Sequence, residues 1–176
     1  MPPAAASATA PRRRASSAVI STDTEVTAGG RALLRVLVQR APARLTWGQI
    51  ATLAGLKARG GYFNTGVRSL RASGSIEEGA GLVWTSLRAL EQAGIEPGSA
   101  QTAAQVRAMW REKLPAPAPA MLDALAENGP LSIAELSDVL DLQPRGGFWN
   151  KGIAVLRNNR LVRIHGGVIQ LTAELQ

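Results

Sequence analysis

The chain has 176 residues, 45% apolar and only 4% aromatic, which suits one domain or two very small ones with cores built on Leu, Ile, Val and Ala. It has no cysteine and a single histidine, His165, which excludes a disulfide framework, a thiolate nucleophile and a Cys- or His-rich metal site; neither a metal nor another cofactor is expected. A formal charge of +7 directs the search for a partner toward anions, either nucleic acid or an acidic membrane surface.

Met1 to about Gly29 is rich in Ala, Pro, Ser, Thr and Gly, and with so few large apolar side chains it reads as a disordered tail. Its "PRRR" at Arg12–Arg14 suits a basic arm for a minor groove or a merely solvated segment. The arginines follow the small residues, unlike a secretory signal, and no apolar run reaches the roughly 20 residues of a membrane-spanning helix, so a cytoplasmic protein is expected.

From here the chain is written twice. "ALLRVLVQR" predicts a first helix, and "LTWGQIATLAGL" from Leu45 predicts a second, with Thr46 placed to cap it. "RGGYFNTGVRSLR", Arg59 to Arg71, predicts a third, and "SIEEGAGLVW" a loose hairpin. "QTAAQVRAMWREKLP" carries Val106, Met109, Trp110 and Leu114 and predicts a connecting helix whose tryptophan packs on the first unit. "PAPAP", Pro115 to Pro119, favours an extended spacer and a domain boundary.

The same order then returns. "AMLDALAEN" matches the first helix, "LSIAELSDVLDL" the second with Ser132 as its cap, and "RGGFWNKGIAVLR", Arg145 to Arg157, restates the third helix eighty-six positions on. "LVRIHGGVIQL" alternates apolar and polar residues about Gly166–Gly167, as a hairpin does. Three helices and a hairpin describe a winged helix. The expected fold is therefore mainly α with small β-hairpins, as two tandem winged-helix units: residues 30–94, a connecting helix and Pro-rich linker at 95–118, and residues 119–176.

The third helix of each unit has two sides. Phe63, Val67 and Leu70 fall at i, i+4, i+7 and form a core face, repeated by Trp149, Ile153 and Leu156. Asn64, Thr65, Arg68 and Arg71 in the first unit, and Asn150, Lys151, Arg157 and Asn158 in the second, occupy the polar side. Gly66 and Gly152, at the flank of the core face, allow close approach of another helix.

The glycines that open each helix, Gly60–Gly61 and Gly146–Gly147, are expected to permit φ > 0 in the turn and to leave the first N–H groups unshielded, so that a phosphate could sit there beside Arg59 or Arg145. The alternative is that they only make the turn and that the arginines are solvated. Clustering with Lys57, Arg68 and Arg71 favours binding, as does charge segregation: Arg31 to Ile76 holds eight Lys or Arg and no acid, and Gln143 to His165 five and no acid. Arginine and lysine would hold phosphates, while Asn64 and Asn150 are best placed for base edges. Glu77 and Glu78 argue against a phosphate at the first hairpin tip.

The two RGG segments, followed by "ASGSI" and "NNRLV", resemble the "GGGFNNALGRLRTLGLI" pattern of the paired winged-helix domains in the C-terminal part of some bacterial and phage HerA-like ATPases, and "WREKLPAPAPAMLDAL" resembles the connection between those domains. The likeness spans about Arg31 to Gln176. With no GxxxxGK[ST] motif in the chain, it implies only the DNA-binding accessory module, with no ATPase activity. A non-enzymatic bacterial or phage protein on double-stranded DNA follows, as a regulator or as an accessory that recruits DNA to a separate ATPase or packaging motor. A protein-interaction adaptor that docks through the winged helices and the connecting helix is the alternative.

Overall fold

The computed structural model describes residues 26–94 and 101–176. Among these residues lie eight α-helices and two small antiparallel sheets, so the fold is mainly helical. In chain order the elements are α1 (Ala28–Arg40), α2 (Trp47–Leu53), α3 (Gly61–Ala72), β1 (Ile76–Gly79), β2 (Leu82–Thr85), α4 (Leu87–Gln92), α5 (Ala103–Lys113), α6 (Ala118–Asn128), β3 (Leu131–Ser132), α7 (Ile133–Leu140), α8 (Gly147–Asn158), β4 (Val162–His165), β5 (Val168–Leu171) and a closing 3-10 turn, Ala173–Leu175.

The sequence repeat is also a structural one, in the same register. α8 restates α3, and the hairpin β4–β5 restates β1–β2 with strands of equal length. Leu45 bridges to Val83 as Leu131 pairs with Ile169. Both hairpin turns place two successive residues at positive φ, Ala80 and Gly81 (51° and 74°) and Gly166 and Gly167 (56° and 81°), the backbone a two-residue hairpin requires. The first hairpin is therefore as tight as the second, although an alanine stands in its turn.

The predicted caps form. Thr46 accepts from the Gln49 N–H while the Gln49 side chain accepts from the Thr46 N–H, and Ser132 and Glu135 do the same for α7. The Ser132 N–H holds the Glu135 carboxyl below the usual carboxylate range. Inside, Leu33, Leu37, Ile50 and Leu70 of the first repeat and Leu122, Leu125, Leu136 and Leu156 of the second are buried in one continuous core. Leu53 is buried but its counterpart Val139 is exposed, because α5 also covers α2, and among the described residues no helix makes the same contact with α7.

Two boundaries differ from the sequence reading. α1 begins at Ala28, with Thr27 accepting from the Gly30 N–H at 3.2 Å, and Gly29 and Gly30 are buried against α3. A Cβ on Gly66 would stand 2.7 Å from the Gly29 carbonyl carbon, so small residues on both helices are what lets α1 and α3 cross. Gly29 thus belongs to the packed fold and not to a tail; Met1 to Glu25, with Arg12–Arg14, lie outside the described residues, as do residues 95–100. At Gly152 the close neighbours are side chains instead, Met121 and Pro117.

The proline stretch is not a spacer. The Ala118 N–H bonds the Pro115 carbonyl at 3.1 Å, Pro117 opens α6, and Pro119 lies in its first turn, where a missing N–H interrupts no helical bond. α5 packs on α2 to one side and on α6 and the closing turn to the other, with Trp110 fully buried, so it joins both repeats rather than serving the first alone. Further bonds cross the seam. Gln49 Nε2 donates to the Asn159 carbonyl (2.8 Å), Arg107 to that of Leu175 (2.6 Å), and Arg40 to Gln101 (2.7 Å) and Glu174 (3.2 Å).

Candidate nucleic-acid interface

The left-handed backbone expected at the glycine pairs falls one residue earlier, on the arginines: Arg59 has φ 65° and Arg145 φ 66°. Gly60 and Gly146 are extended helix caps, φ −72° and −66°, and among the described residues neither Gly61 nor Gly147 has a positive φ. The turn closes through the Gly60 N–H to the Lys57 carbonyl (3.1 Å) and the Gly146 N–H to that of Gln143 (3.3 Å). Asn64 Nδ2 donates to the Arg59 carbonyl (3.3 Å) and Asn150 Nδ2 to that of Arg145 (2.9 Å), so each asparagine reaches back from its helix to hold the arginine's backbone.

The two glycines of each pair differ in purpose. A Cβ on Gly60 would lie 3.1 Å from the Lys57 carbonyl oxygen and one on Gly146 3.3 Å from that of Gln143, so the first glycine gives the turn room. A Cβ on Gly61 or Gly147 would meet nothing within 4 Å. Neither cap carries a side chain and neither helix has an acid in its first turn, which leaves the leading N–H groups bare beside the arginine.

Around this turn Lys57, Arg59, Thr65 and Arg68 are exposed in the first repeat, and Arg145, Lys151, Arg157 and Asn158 in the second. The side chains of Arg59 and Arg145 make no hydrogen bond or ion pair among the described residues. Tyr62 and Phe148, at equivalent positions, are 55% and 53% exposed, whereas Phe63 and Trp149 enter the core. The sequence reading missed this exposed pair. The signal was an aromatic doublet, since adjacent helical residues point about 100° apart and only one of them can face the core.

Arg71, expected on the phosphate-facing side, is exposed and also makes an ion pair. Its Nε and a terminal nitrogen grip Glu78 at 2.8 and 2.9 Å, and Glu78 also accepts from Trp47 Nε1 at 2.8 Å. The Arg71 hydrogen bond holds the Glu78 carboxyl below the usual carboxylate range, and Glu78 raises Arg71 in return. Trp47 stands edge-on to Phe63 at 5.8 Å, which makes it a core-edge residue and not a base platform. Glu77 accepts from Trp84 Nε1 at 3.0 Å, so both acids of this hairpin are turned onto the protein.

Arg40 is only 3% exposed; burial lowers its pKa, and Glu174 opposes that shift. Of the eight cations from Arg31 to Ile76, Arg40 therefore serves the fold, Arg71 shares its charge with Glu78 at the surface, and Arg31 donates to the Val26 carbonyl at 2.7 Å. Arg157, which stands where Arg71 does, has Ile164 opposite the Glu78 position and keeps its charge unpaired among the described residues.

The chain matches no protein-family model and no curated protein sequence. Among the described residues no helix is long and apolar enough to cross a membrane, and no three His, Cys, Asp or Glu are grouped to hold a metal ion.

Proposed function

We propose that this is a non-enzymatic protein that binds double-stranded DNA through two winged-helix units in one chain, α1–α3 with β1–β2 and α6–α8 with β4–β5. The observation that carries the reading is that both repeats place a left-handed arginine at the same turn, Arg59 and Arg145, whereas the third left-handed arginine, Arg160 (φ 54°), has a glycine, Gly74, as its counterpart. At such a position glycine is free of strain, whereas a residue with a Cβ incurs on the order of 1 kcal/mol or more. Arg59 and Arg145 accept that strain in both repeats, and their side chains bond to nothing among the described residues.

A guanidinium held there stands beside bare N–H groups at a helix start, an arrangement suited to a phosphate. Gly61 and Gly147, which the fold does not need for room, keep that approach clear. Lys57, Arg68, Lys151 and Arg157 extend the positive surface, and Tyr62 and Phe148 add an apolar contact for sugar or base. The resemblance to the paired domains of HerA-like ATPases extends the proposal to an accessory that brings DNA to a separate motor; transcriptional control is the other use of the same surface.

Titration of a labelled duplex across a salt series tests the reading. Affinity should fall steeply and linearly on a log–log scale, with a slope of roughly −0.9 per phosphate contacted. A protein with no duplex affinity even at low salt would be an adaptor that docks on protein.

A further inference from the structure

At the seam between the repeats lies an open cleft of about 760 Å³, within the usual size range for small-molecule sites. Both repeats line it, the second supplying most of the wall. Arg44 and Leu82 come from the first, and Arg157, Arg160, Arg163 and Ile164 from the second. All four arginines are exposed, and among the described residues none has an acidic partner. Arg44 stacks on Trp84, 4.3 Å from the ring centre, which orients its guanidinium without neutralising it. The one carboxylate on the wall, Glu174, is already paired with Arg40 at 3.2 Å.

Four like charges around one open concavity repel one another, and although water and salt screen that repulsion, an anion bound between them would relieve it further. The apolar side chains Leu82 and Ile164 fit a ligand with an uncharged body as well as charge. We propose that the seam cleft binds a small organic polyphosphate of nucleoside diphosphate type, and that occupancy ties the two repeats together because both supply its wall. Arg157 belongs to both this cleft and the surface assigned above to DNA, so the two adjoin; Arg160, Arg163 and Arg44 lie outside the residues assigned to DNA and distinguish the cleft from it.

The test uses the full chain with ADP, pyrophosphate and adenosine as probes, by calorimetry and thermal denaturation. ADP should bind saturably and raise the melting temperature, pyrophosphate should compete with it, and adenosine should bind at least about tenfold more weakly. Arg160→Gln/Arg163→Gln should weaken ADP at least about tenfold, and Arg44→Gln, on the opposite wall, should weaken it too, both with unchanged duplex affinity. ADP binding that is absent, or equal in wild type and variants, overturns the proposal. Loss of duplex affinity with a salt slope reduced by about two phosphate contacts also overturns it, by assigning the cleft to DNA.

Discussion

Replacing Arg59 and Arg145 by glycine should move stability and binding in opposite directions. Both arginines sit at φ near 65°, and their side chains contribute no bond among the described residues. Relief of left-handed strain is worth about 1–2 kcal/mol per site, and the larger entropy of glycine in the unfolded chain removes about 0.5–1 kcal/mol of it. The double variant should thus gain about 1 kcal/mol, a rise of about 2–4 °C in melting temperature for a chain of this size. On duplex DNA it should lose two phosphate contacts, lowering the salt slope by about 1.8 and weakening binding at low salt for every sequence. Arg59→Ala/Arg145→Ala separates the causes, because alanine removes the charge but keeps the strain: the same binding loss without the stabilisation. Thermal denaturation beside fluorescence anisotropy at two salt concentrations reads both quantities. A fall in melting temperature for the glycine variant, or unchanged DNA affinity in both, would refute the view that the strain serves a ligand.

Gly66→Ala should cost about 1–2 kcal/mol in chemical denaturation, since its Cβ would stand 2.7 and 2.8 Å from the backbone of Gly29 and Gly30 and this crowding outweighs the roughly 1 kcal/mol that alanine gains in a helix. Gly61→Ala, open to solvent, should range from neutral to about 1 kcal/mol more stable; equal behaviour of the two would count against the close crossing of α1 and α3. Asn150→Ala removes the bond to the Arg145 carbonyl and should cost about 0.5–1.5 kcal/mol while weakening all duplexes alike; an effect confined to discrimination between sequences would restore Asn150 to base reading. Glu78, whose folded pKa is depressed, stabilises the protein above its unfolded pKa, and that contribution disappears as pH falls through the lower folded value; because Trp47 bonds the same carboxylate, its fluorescence should change in that acid range, and Glu78→Gln should abolish the step.

What depends on neighbours within a turn or two was legible in the sequence alone. The repeat register, the Thr46 and Ser132 caps, the Gly166–Gly167 hairpin and the inward face of Phe63, Val67 and Leu70 follow from side-chain chemistry and helical or strand periodicity, and they hold in the structure. The turn itself was legible only as a turn. Which residue takes the positive φ is decided by where the Lys57 carbonyl and the Asn64 amide stand, and both require a backbone at Arg59 that its residue type disfavours.

Charge was the least legible. A count of cations treats Arg40, Arg71 and Arg157 alike, yet Arg40 is buried against Glu174, 134 positions away, Arg71 is paired with a carboxylate that the turn from α3 into β1 brings near, and Arg157 is left open because an isoleucine occupies the corresponding strand position. An ion pair needs its partner within about 4 Å. Long-range packing sets that distance, so only the tertiary structure separates the cations that hold this fold from those that remain for a partner.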